Sequence, residues 1–259
     1  MDNNKKNQLH TLLAVVGDLK TKANLITEEG ITTFTKKPEH FDGVQKIYKA
    51  IETGKEDTPP EIKNIVTTVK EKLDYVQTSL INGINAVLSM EETNASGTTK
   101  TSLIVNGETF GELSATSLLA LEKWLEQVRT LYKSIPTLDP TKSWDKDKAA
   151  DQPGIYKSPE EIKYHTAKKQ KPIVLYEATK EHPAQVQMFS YDDRVEKSIT
   201  TYISGRITPA QKSEMLGRID VLIVAVKKTR AIANTAEIIN TKLGKQLFAF
   251  IDGNTLKSV

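Results

Sequence analysis

Asn106-Gly107 constrains this chain more than any other pair of residues. It separates Thr101-Ser102-Leu103-Ile104-Val105 from Glu108-Thr109-Phe110. A two-residue turn between β-prone runs requires positive φ at both central positions, which Asn and Gly tolerate best, so a β-hairpin is predicted here. Helical patterns lie on both sides. Ile65, Val69, Leu73, Val76, Leu80, Ile84, Val87 and Leu88 recur at intervals of three and four before it, and Leu118, Leu121, Leu125, Val128, Leu131 and Tyr132 do so after it,. The chain is therefore expected to belong to the α+β class.

The same reading extends along the chain. Leu9, Leu12, Leu13, Val16, Leu19 and Ala23 form an apolar stripe on a helix from Gln8 to Asn24, with a turn expected near Glu29-Gly30 and a short extended piece at Ile31 to Phe34,. Pro38 then opens a second helical spacing through Phe41, Val44, Ile47, Tyr48 and Ile51, ended by Gly54. Thr58-Pro59-Pro60-Glu61 has the form of a capping box launching the next helix, although Val66 to Val69 is β-branched enough to be extended,. Ser114 caps the helix that Pro136 stops. Residues 136–159, with Asp139-Pro140, Trp144 and Pro153-Gly154, favour an irregular loop or arm,. Three strands are expected at Ile173 to Tyr176, Gln185 to Phe189 and Ile199 to Ile203, with Asp192-Asp193 in a turn between two of them. A second capping box, Thr208-Pro209-Ala210-Gln211, starts a helix running through Ile239 to a stop at Gly244. Leu247 to Ile251 then supplies an edge strand or a docking patch. Long helices packed on a small antiparallel sheet, with one additional hairpin, in a single integrated domain over 1–259, is the expected architecture.

Composition excludes several functions. None of the 259 residues is cysteine, which removes disulfides, thiolate metal sites and a cysteine nucleophile, and suits a reducing cytoplasm. The four histidines, His10, His40, His165 and His182, never take metal-ligand spacing,. No glycine-rich phosphate loop or nucleophile elbow occurs, and neither a cofactor nor a metal is expected. The first residues are broken by Gly17, Asp18 and Lys20 too early for a leader or a membrane span,. With 36 basic and 33 acidic side chains, any polyanion site must be a local patch.

Two such patches and one interface candidate stand out. Lys163, His165, Lys168, Lys169 and Lys171 form an acid-free run interleaved with Tyr156, Tyr164 and Tyr176. Lys168, Lys169, Lys171, Tyr164 and Tyr176, with His182 nearby, are candidates to hold a phosphorylated ligand such as a nucleotide, or nucleic acid. Lys227, Lys228 and Arg230 make a weaker second patch. Val221 to Val226 is apolar around a whole helix, which needs cover on every side and makes Leu222 and Val224, with Trp144, candidate contacts between copies. A catalytic reading pairs His182 with Asp192 or Asp193, motivated by their nearness to expected strand ends.

Further segments carry a resemblance: Leu9-His10-Thr11-Leu12-Leu13-Ala14-Val15, Phe41-Asp42-Gly43, Pro59-Pro60-Glu61, Leu138-Asp139-Pro140-Thr141-Lys142-Ser143-Trp144, Glu181-His182-Pro183-Ala184-Gln185-Val186 and Ser204-Gly205. In this order they resemble a bacterial family of unknown function along nearly the whole chain. The resemblance implies one integrated unit and no catalytic residue. The expectation is thus a non-catalytic cytoplasmic protein that self-assembles and acts by binding or scaffolding, with ligand capture as the alternative and an uncharacterised enzyme third.

Overall fold

Helix α1 (Leu9–Lys36) passes straight through the turn expected at Gly30. The reason is the neighbour that Gly30 admits: a Cβ there would sit 2.9 Å from Val76 Cγ2 and 3.3 Å from Leu131 Cδ1. In a computed structural model describing residues 9–52, 54–150, 153–235 and 242–252, this close approach brings α1, α2 (Val69–Asn94) and α3 (Ala115–Ser134) together. Gly83 does the same further along α2, where a Cβ would lie 2.7 Å from Ala23 Cβ. Ala23, Phe34, Val69, Val76, Trp124 and Leu131 form the first apolar cluster. A second joins α3 and α4 (Pro209–Ala233) to the hairpin of β3 (Thr101–Val105) and β4 (Glu108–Leu113), through Leu103, Val105, Leu118 and Val226.

Local signals survive where they stand alone. Asn106 and Gly107 have φ of 50° and 87°, as the hairpin requires. Ser114 caps α3 and Thr208 caps α4 in a complete capping box with Gln211. The other expected box at Thr58 does not form: residues 61–63 are strand β2 (Glu61–Lys63), and the cap of α2 is Thr68, reciprocated by Glu71. The helical spacing after Pro38 is also overturned. A 3-10 turn at Pro38–Phe41 leads into strand β1 (Asp42–Ala50), because β8 (Gln185–Ser204) lies beside it and takes its backbone hydrogen bonds from Asp42↔Ser204 to Ala50↔Glu196.

The three expected strands near the C-terminal third are two long ones. β7 (Glu161–Tyr176) pairs with β8 along its length, and β8 fuses the two expected runs at 185–189 and 199–203. Asp192 and Asp193 therefore sit within a strand rather than in a turn. Short strands β5 (Asp145–Lys146) and β6 (Tyr156–Lys157) complete the order β2-β1-β8-β6-β5, with β7 also on β8. The rest of the described part of 136–159 is loop and turn. At the C-terminal end Gly244 opens a helix, α5 (Gly244–Asp252), instead of ending one, and Leu247 to Ile251 is helical rather than an edge strand. Ile239 lies outside the described residues.

Glu92 links the ends of α2 and α3: its carboxylate accepts from the Ser114 backbone N–H at 2.7 Å and faces Lys100 Nζ at 2.9 Å. Burial opposes the charge. The Ser114 N–H, the Ser117 hydroxyl, Lys100 and the Ser114 hydroxyl together outweigh it and hold the carboxyl at about 2, below its ordinary 4.5. A depressed carboxyl stabilises the fold above its unfolded pKa and loses that contribution as pH falls from 4.5 toward about 2,. Acid titration of urea stability should therefore show a loss of about 2 kcal/mol in that window that Glu92→Gln removes.

Candidate functional site

β8 organises the region left open by the helices. Its C-terminal half pairs with β1 on one side and with β7 and β6 on the other, whereas its first ten residues pair with β7 alone. Neither apolar cluster contains a residue of β1, β2 or β5–β8. The sheet is instead fastened to the helices at one end. There Gly205 donates its N–H to Phe41 O and accepts from Val69 N, each at 2.8 Å. Arg206 reaches Thr137 O, Pro38 O and the Asp42 carboxylate.

Strand alternation sorts the sheet into two unlike faces. On one, Lys46, Tyr48, Glu161, Lys163, His165, Ser198 and Thr200 share a side through the pairs Tyr48↔Ser198, Lys46↔Thr200, Lys163↔Ser198 and Glu161↔Thr200. This face is polar, and its centre is covered while Lys163 and His165 are exposed. Tyr48 is buried and donates to Glu61 Oε1 at 2.6 Å, Ser198 and Thr200 are buried, and Lys142 bonds Glu161 while lying over the Tyr202 ring. On the other face Ile47, Ile199 and Ile162 form one direct cross-strand row, flanked by Ile62 opposite Gln45, by Ile203, and by Tyr164 opposite Lys197. Here Ile62 is 59% exposed and Ile162 and Tyr164 are 50% exposed, Ile47, Ile199 and Ile203 are partly buried, and Gln45, Lys49, Lys197 and Thr201 stand among them. At the centre of the sheet the polar side is thus the more covered of the two, the reverse of the usual relation.

Beyond Glu196 the β7–β8 pair continues as a two-stranded arm from Thr166↔Arg194 to Tyr176↔Gln185. Its distal part exposes Ile173, Val174, Leu175, Tyr176, Val186, Met188 and Phe189. An isolated two-stranded ribbon is at best marginally stable in water. The root of the arm is held by charge. Lys169 Nζ lies 2.5 Å from Glu52 Oε1 and 2.9 Å from Asp193 Oδ2. These partners raise the lysine pKa, and Lys169 together with Lys55 holds the Glu52 carboxyl at about 2.

The lysine patch expected from sequence is divided by this geometry. Lys169 and Lys171 alternate onto one face, opposite Tyr191 and Phe189, while Lys168 points to the other, opposite Asp192,. Lys169 is already neutralised by two carboxylates. Tyr164 is covered on one side by the Arg194 guanidinium, 4.3 Å from its ring centre, and Tyr176 stands at the distal end of β7. His182 lies in the loop between the strands, its backbone N–H donating to Thr179 Oγ1. That loop is seven residues of β8, roughly 24 Å, from Asp192, so the structure does not bring His182 together with Asp192 or Asp193. Leu222 packs in the second apolar cluster and Val224 is half exposed. Trp144 folds on its own loop, its indole N–H donating to Asp139 O at 2.9 Å. The weaker basic patch is partly paired, with Lys227 and Arg230 both beside Glu122 of α3.

What sequence reasoning missed is the face of Ile47, Ile62, Ile162 and Ile199. The alternation was present at Ile162 and Tyr164, and again around Ile199, but assigning it to one surface requires knowing that three distant segments are neighbours. Elsewhere, a groove of about 610 Å³ runs between α1, α2 and α3, lined by Val16, Val87, Met90, Leu119 and Trp124. Among the described residues no His, Asp and Glu gather in a group able to hold a metal ion, and no helix is long and apolar enough to cross a membrane. Every carboxyl with a displaced pKa is displaced downward, by cations or N–H and O–H donors. Such shifts favour permanent charge, the opposite of what tunes a carboxyl for proton transfer near neutrality.

No curated protein and no solved structure matches the chain. A family model described as a family of unknown function, DUF7873, matches residues 6–254. The chain belongs to that family.

Proposed function

We propose that this protein is a non-catalytic, self-assembling scaffold that acts in the cytoplasm through contacts made by its sheet and arm. The observation that carries this reading is the β7–β8 arm: a two-stranded ribbon whose distal half exposes apolar side chains on both faces. Burying such an arm against a neighbour would supply the stabilisation that a free ribbon lacks, at about 25 cal/mol per Å² of apolar surface. The divided lysine patch gives ligand capture no comparable support, and the cysteine-free sequence suits a reducing compartment,.

Native mass spectrometry and sedimentation of the full chain test the proposal. The unaltered protein is expected to form one discrete oligomer that dissociates on dilution, as mass action requires. The double variant Val174→Asp, Val186→Asp introduces two charges at facing positions of the arm and should weaken assembly by about 30-fold or more, with the far-ultraviolet spectrum preserved. A protein that remains monomeric at about 100 µM would overturn the reading.

A further inference from the structure

We infer that the isoleucine face of the sheet is a two-fold interface, packing against the same face of a second copy. The inference rests on the reading of the protein as self-assembling and names the surface that does it. The row Ile47, Ile199, Ile162 runs straight across three strands, with Ile62 and Ile203 beside it. β-Branched side chains in register make a flat, stiff surface. Two such sheet surfaces pack face to face about 10 Å apart with interdigitating side chains.

The size of the face matches this occupant. Nine residues each of β1 and β8 and the five of β7 beside them, in strands spaced about 4.8 Å apart and rising about 3.3 Å per residue, present a projected area of roughly 360 Å²,. The arm continues the same side through the polar pairs Thr166↔Arg194, Lys168↔Asp192 and Gln170↔Ser190 to Pro172↔Met188 and Val174↔Val186, adding roughly 250 Å². The total falls within the roughly 600–1,000 Å² that each partner buries in a stable interface. The occupant must also be present whenever the chain folds, because an apolar face of this extent left in water invites aggregation. A second copy is always made alongside the first, and two-fold pairing is the commonest closed symmetry. Lys49 and Lys197, cross-strand neighbours on this face, sit between the isoleucine row and the arm, where their stems can cover isoleucine while their ammonium groups reach water.

The absence of cysteine makes a site-specific test clean. Ile199→Cys places one thiol at the centre of the row, and a short bis-maleimide should link two copies nearly completely. Lys163→Cys, exposed on the opposite, polar face, should link at least tenfold less under the same conditions. If Ile199→Cys fails to fold, Thr201→Cys presents a thiol on the same face two residues along. Equal linking from both faces, or none from the isoleucine face while native mass shows an oligomer, would overturn this interface and leave self-assembly standing. A monomeric native mass would remove both.

Discussion

Arg206→Ala is expected to lower the unfolding free energy by about 3 kcal/mol, because the side chain is the polar fastening between the sheet and the helices. Its guanidinium donates to Thr137 O and Pro38 O, each at 3.3 Å, and pairs with Asp42, whose other oxygen accepts from Ser204 at 3.1 Å. These partners belong to the start of β1, the end of β8 and the loops leaving α1 and α3. Alanine leaves two carbonyls without that donor and a carboxylate without its cation. Urea unfolding followed by circular dichroism gives the loss directly. Arg206→Lys should recover only part of it, since an ammonium carries the charge without the planar fork that serves three acceptors at once. A loss below about 1 kcal/mol would show that Gly205 and the backbone bonds around it fasten the sheet unaided.

Leu131→Ala should cost about 3–4 kcal/mol, near the middle of the range for a fully buried leucine. Leu131 has no exposed surface and sits against Gly30 of α1, where α1, α2 and α3 meet. The glycine is the reason the cavity cannot close: α1 already approaches as near as its backbone permits, so the vacated volume stays open. Val224→Ala serves as the control. Half of that side chain is in water, and its truncation should change stability by less than about 0.5 kcal/mol. Thermal or urea unfolding of the two variants side by side decides the matter, and equal effects would contradict the helix packing described above.

The two variants separate what holds the molecule from what it offers outside. The helices and the hairpin own the apolar clusters, whereas the six-stranded sheet covers the polar centre of one face and leaves an isoleucine row partly exposed on the other. That asymmetry is where the candidate site lies. Its residues were partly visible in sequence as strand-like runs, yet the lysines that drew attention there turn out to alternate across the ribbon, one of them bound by Glu52 and Asp193.

The sequence by itself determined the elements whose instructions are local. Asn106-Gly107 required a turn with positive φ, Ser114 and Thr208 supplied caps, and the stripe from Leu118 to Leu131 had no reading other than helix. In each case the deciding interactions span a few residues. Tertiary structure decided the rest. Phe41, Val44, Ile47, Tyr48 and Ile51 have a helical spacing, yet β8, about 150 residues away in the chain, supplies the hydrogen bonds that make Asp42–Ala50 a strand,. Gly30, expected at a turn, becomes a contact point once α1 and α2 cross, as Gly83 does within α2. The isoleucine row exists only because three strands from separate parts of the chain share one register, and a one-residue slip would turn it to the opposite face.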